Sequence, residues 1–229
     1  MSFLHTRRLS GSVNNIEVRD LKEYILAEGF TAKDIPAEIA DKIDGVTYHK
    51  NDSITIADLA YLEVLHIGFD GKSAKGELIC NKKLAKEILH IFKDLYDKKY
   101  AIEKLRLADE YGGDDDRIMA DNNSSCFNYR VIFGTKTISL HGLGRAIDIN
   151  PLYNPYIVNG KIMPDNATPF ADRDKDFPHK IDKNDVCFKV FKSYGWLWGG
   201  DWTDSKDYQH FYKEENGLKR IIQKIKDKL

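Results

Sequence analysis

The chain has 229 residues, enough for one catalytic domain with a small extension and a sizeable core. Its 35 Lys and Arg offset 36 Asp and Glu, so a net charge of −1 gives no general attraction to nucleic acid. No run approaches the roughly eighteen apolar residues of a membrane span.

Residues 1–15 read as flexible, and Met1 to Arg8 is not followed by the apolar core of a secretory signal. Leu21, Tyr24 and Ile25, with Gly29 as a stop, predict a short helix. A second short helix is expected from Pro36 through Ile39 to Gly45. Mixed structure follows from Thr55 to Leu65, then a turn at Phe69-Asp70-Gly71 before Glu77-Leu78-Ile79. Asn81 is placed to cap a helix that runs to about Asp97, with Ile88, Ile91 and Phe92 on its apolar face and His90 in a structural role. Leu105 and Leu107 alternate as in a strand ahead of Gly112-Gly113. Asp114-Asp115-Asp116 lacks the spacing of a calcium loop and reads as a solvated turn.

Ile132 and Phe133 lead into a turn at Gly134. Residues 151–185, rich in Pro, Asn and Asp, predict a long loop region that frames a cleft. Trp196, Trp198 and Trp202 suit core and cleft wall. A last helix carries Leu218, Ile221, Ile222 and Ile225 on one face, which is expected to pack on the sheet. The three cysteines, Cys80, Cys126 and Cys187, allow at most one disulfide and imply no thiol catalysis. The sum is an α+β domain with an antiparallel sheet and flanking helices.

Chemistry-bearing residues concentrate in Ser139-Leu140-His141-Gly142-Leu143-Gly144-Arg145-Ala146-Ile147-Asp148 and in Asp207-Tyr208-Gln209-His210-Phe211. Together they offer two histidines and a carboxylate, the donor set of a catalytic zinc ion that keeps one position for water. One carboxylate is left over to take a proton from that water. Seven residues separate His141 from Asp148, so on one straight strand they would face opposite ways. Gly142, Gly144 and the sequence Ile147 to Pro151 argue against a helix. A strand, a glycine turn and a second strand would let His141, at the end of the first, face Asp148 on the second. Small Ala146 would then leave room beside an ion. Asp207 and His210 need a bend between them before His210 enters a strand. Gly142 and Gly144 do not begin a dinucleotide loop, because Ile147 stands where the third glycine is needed.

The pattern Ser139-x-His141-x-x-Gly144-x-Ala146-x-Asp148 with Asp207-x-x-His210 resembles the D-alanyl-D-alanine carboxypeptidase family of zinc peptidases. That family includes D-Ala-D-Ala dipeptidases and L-alanyl-D-glutamate endopeptidases, and shares its fold with the hedgehog signalling domain. Asn122 to Arg130 and Tyr194 to Trp202 extend the similarity, which spans roughly residues 52–215. The resemblance implies Zn2+ held by His141, Asp148 and His210, Asp207 as general base and Arg130 as the substrate-binding arginine. It also implies peptidoglycan stem peptides as substrate and therefore a place in the cell envelope. Members that are carboxypeptidases or dipeptidases usually have Glu at the position of Asp207, and Asp is more similar to the endopeptidase branch.

The similarity begins near residue 50, so residues 1–50 are expected to be an N-terminal extension of short helices and residues 51–229 the catalytic domain. A non-catalytic zinc-containing binding module for cell wall or protein is the alternative, and Asp207 speaks against it, since pure binding needs no base.

Overall fold

A computed structural model describes residues 21–132, 135 and 137–214. The flexible start, the turn at Phe133 and Gly134 and the final helix expected from the sequence lie outside the described residues. The fold is α+β with antiparallel sheets.

The first expected helix is absent. Strand β1 (Glu23–Ala27) turns through Glu28 and Gly29 into β2 (Phe30–Asp34), and the two pair antiparallel. Tyr24 and Leu26 pack on the core while Ile25 is 63% exposed, an alternation of period two rather than 3.6. Gly29 makes the turn at φ +76°, and a Cβ there would meet Leu65 at 2.6 Å. The expected second helix is present as α1 (Ala37–Ile43), which buries Ile39 and Ile43.

Strands β3 (Leu59–Ile67) and β4 (Ser73–Asn81) complete a sheet of order β1-β2-β3-β4, in register from Leu59 opposite Asn81 to Ile67 opposite Ser73. The turn between them is locked by Asp70, whose Oδ1 accepts from the amide of Lys72 at 3.0 Å. The Asn81 side chain accepts from the amide of Lys83 at 3.2 Å, opening a single 3-10 turn that leads into α2 (Ala85–Asp97). That helix lays Ile88, Leu89, Ile91, Phe92 and Leu95 against Phe30, Leu62, Val64 and Leu78 of the sheet. Each such side chain contributes about 1.5–3 kcal/mol by leaving water. His90 falls on the exposed face of α2.

Leu105 and Leu107 are buried as expected, but they do not form a strand. The Asn123 amide takes the place of a partner strand, accepting from the Arg106 amide at 2.9 Å and donating to the Arg106 carbonyl at 3.0 Å. The acidic run is also more than a turn. Asp114 caps α3 (Asp115–Ala120) by accepting from the Arg117 amide at 3.1 Å.

Two small sheets complete the fold. Strands β5 (Ala146–Asp148), β8 (Leu197–Trp198) and β10 (His210–Tyr212) are arranged β5-β10-β8. Strands β6 (Tyr156–Val158), β7 (Lys161–Met163) and β9 (Ser205–Asp207) are arranged β7-β6-β9, so the expected loop region of 151–185 contains a hairpin. Helix α4 (Val186–Ser193) joins the shared core through Phe191, stacked on Phe211 at 4.2 Å and edge-on to buried Trp196. The three cysteines are free and buried. Among the described residues no helix is long and apolar enough to cross a membrane.

Candidate metal centre

His141 stands in a turn, not at the end of a strand. The Ser139 Oγ accepts from the Gly142 amide at 3.0 Å, and the Gly144 amide donates to the His141 carbonyl at 2.9 Å. Gly144, at φ +63°, presses so close to the end of β4 that an added Cβ would lie 2.4 Å from the Asn81 nitrogen. The Asn81 amide donates to the Gly144 carbonyl at 2.8 Å. These local bonds use the backbone groups that a first strand would have needed, and upstream, among the described residues, a single bridge of Val131 with Ile138 is formed.

Asp148 and His210 meet because β5 and β10 pair in a register that sets them directly opposite one another. Ser125 flanks Asp148 on its other side through two backbone hydrogen bonds. Both histidines are buried. His141 Nδ1 lies 2.7 Å from the Cys126 carbonyl. A carbonyl only accepts, so Nδ1 carries the proton and Nε2 presents a lone pair. That Nε2 is 3.1 Å from His210 Nδ1 and 3.2 Å from an Asp148 oxygen, and His210 Nδ1 is 2.9 Å from the other.

These three groups could hold a metal ion. A tetrahedral ion with donors at about 2.0–2.1 Å sets those donors about 3.3 Å apart, close to the separations seen. The donor set, two imidazoles and a carboxylate, is also one that zinc favours. The Cys126 carbonyl supplies the outer contact that fixes a ligating imidazole's tautomer and orientation. Burial opposes ionisation of Asp148, but His141 and His210 together outweigh it and hold the carboxyl well below the usual range.

Asp207 ends β9, and Tyr208 and Gln209 form the expected bend before His210. Its Oδ1 is buried without a hydrogen-bond partner among the described residues. Burial pushes the carboxyl up against the pull of His210, and the Asp148 charge adds to the rise while Gln209 and Arg130 oppose it. The net value is about 7. Gly199 makes the crowding possible, because a Cβ there would sit 2.6 Å from the Asp207 carbonyl oxygen and 3.3 Å from His210 Cβ. Trp196 and Trp198 are core, whereas half-buried Trp202 stands 5.5 Å from the His210 ring and donates to the Tyr212 hydroxyl at 3.1 Å.

Arg130 pairs with Asp115 of α3 at 2.6 Å through Nε, and Asn128 holds the same carboxylate at 2.8 Å. The guanidinium stays partly exposed, and its charge reaches Asp207. The sequence motifs therefore bring His141, Asp148, His210 and Asp207 together, with Arg130 anchored alongside. Three participants escaped the sequence reading. The Cys126 carbonyl has no side-chain signature, and Gly199 resembles any loop glycine. Asp115 was detectable, because an acidic run followed by Arg117-Ile118-Met119 is a helix start.

No curated protein and no solved structure matches the chain. Residues 133–213, the stretch that carries the His141 turn, the paired Asp148 and His210, and Asp207, match the family model described as D-alanyl-D-alanine carboxypeptidase, and over this segment the resemblance read from the sequence holds.

Proposed function

We infer that the chain is a zinc peptidase of the cell envelope that hydrolyses peptide bonds in peptidoglycan stem peptides. The observation that carries this reading is the convergence of His141, Asp148 and His210 beside a buried carboxylate, Asp207, that takes no part in the cluster. A module that only bound zinc would have no use for that fourth group. Residues 51–229 form the catalytic unit, and residues 1–50 an extension whose described part adds β1, β2 and α1 to the same body.

His141 Nε2, His210 Nδ1 and an Asp148 oxygen would hold the ion. Zinc, when bound, supplies a Lewis acid and a water of pKa near 7. Asp207 accepts the proton from the attacking water and returns it to the leaving amine, a role for which a buried carboxylate with an unpartnered oxygen beside the cluster is placed. Arg130, oriented by Asp115, offers its free nitrogens to a substrate carboxylate in a two-pronged grip. Trp202 walls the cleft beside His210.

The test is mass spectrometry of purified peptidoglycan fragments after incubation with the protein, with and without a chelator. Chelator-sensitive loss of a terminal alanine assigns a D-Ala-D-Ala carboxypeptidase, and release of stem peptides that begin at D-Glu assigns an L-Ala-D-Glu endopeptidase. Asp rather than Glu at position 207 favours the second. No cleavage by zinc-loaded protein would leave the non-catalytic binding module.

A further inference from the structure

A cavity of about 380 Å³ opens behind the turn that carries His141. Leu143 and Arg145 line it, but none of His141, Asp148, Asp207 or His210 does, so it is a different site from the metal centre. Its volume falls in the range of small-molecule sites, roughly 300–1,000 Å³.

The lining combines cationic and apolar side chains. Lys82 and Lys83 of the 3-10 turn and Lys86 of the first turn of α2 face it together with buried Arg145. Lys82 is neutralised by Asp34 at 2.8 Å, and Arg145 Nε donates to the Lys213 carbonyl at 3.0 Å. Asp58, the acidic residue of the lining, is bound to the amide and hydroxyl of Thr55 at 2.9 and 2.7 Å. No carboxylate oxygen of the described residues lies within 4 Å of Lys83 or Lys86, although the Lys83 charge acts on Asp58, and Lys86 lies over the Tyr24 ring at 5.0 Å. Leu21, Ile54 and Leu143 complete the wall.

We propose that this cavity binds a small organic phosphate, with the phosphate between Lys83 and Lys86 and the carbon portion against Ile54 and Leu143. Ammonium groups act on phosphate as strong point charges, and the cations of the lining, Lys82, Lys83, Lys86 and Arg145, outnumber its single carboxylate, Asp58. The apolar lining residues favour a phosphate ester over the free ion. The site is joined to the metal turn, because the Asn81 side chain donates to the Leu143 carbonyl at 3.2 Å.

The test is isothermal titration of the zinc-loaded full chain with glycerol 1-phosphate at fixed ionic strength. Saturable binding is expected, and K83Q/K86Q should weaken it about tenfold, or 1.4 kcal/mol. A second variant, Ala57→Glu, puts a carboxylate on the exposed rim without touching the lysines and should weaken it similarly, whether or not the double variant folds. Asp207→Ala should leave it unchanged. Absence of saturable binding overturns the proposal. So does binding that both folded variants retain, which would place the phosphate on the metal, or D-glutamate binding as tightly, which would make the cavity a general anion site.

Discussion

Asp207 is a buried carboxylate with an orphaned oxygen, a costly arrangement that a hydrogen-bonded turn residue would avoid. If it is the base, Asp207→Ala should lower kcat by about 10²–10⁴-fold while the zinc content of the purified protein stays at one per chain. Retained turnover would remove Asp207 from that role. His141→Ala should lose metal and turnover together, which metal analysis of the same preparation reads directly. Asp185 offers an independent check on burial. It caps α4 by accepting from the Cys187 amide at 2.8 Å, yet burial outweighs its amide donors and raises the carboxyl to about 6. A raised carboxyl favours the folded state at low pH, and that advantage disappears as pH rises from about 4 through 6. Asp185→Asn keeps a capping oxygen and removes the charge. The variant should therefore be the more stable above pH 6, by about 2 kcal/mol, with the gap closing toward pH 4 in urea titrations. A gap independent of pH would refute the argument.

At the scale of elements, the decisive devices are backbone substitutes. Asn123 pairs with Arg106 as a neighbouring strand would, and so fixes Leu105 and Leu107 in the core without a ladder. Asn123→Ala should cost about 2 kcal/mol in chemical denaturation, since it leaves two main-chain groups without partners, while zinc affinity is kept. A cost near zero would mean that water replaces the amide. Local pattern reads such places poorly. The run Leu21, Tyr24, Ile25 is compatible with either period, and pairing with β3 through β2 selected the strand. The same holds for His141, where a glycine turn was legible but its hydrogen bonds to Ser139 and Asn81 were not. Asn81 as a cap and the bend between Asp207 and His210 were legible, because both are set by neighbours in sequence.

For the whole molecule, the metal centre joins the turn after residue 139 to a sheet closed by the last described strand. An ion that binds only this folded arrangement stabilises it by mass action, about 2.7 kcal/mol at a hundredfold excess over Kd. Zinc should accordingly raise Tm by about 5–10 °C over chelated protein, and a melting curve indifferent to zinc would argue against the ligand set.

The chain alone determined where the histidines and carboxylates of the candidate site concentrate. Two short motifs hold two histidines and two carboxylates in contexts too specific to be incidental, and their spacing is a local property. Tertiary structure decided how those residues meet. The register that sets His210 opposite Asp148 spans 62 positions and depends on how β5, β10 and β8 share a core with α2 and α4. The Cys126 carbonyl that orients His141 and the burial that raises Asp207 arise from the same packing. Long-range strand pairing and desolvation are collective effects of packing, so no local run of residues encodes them.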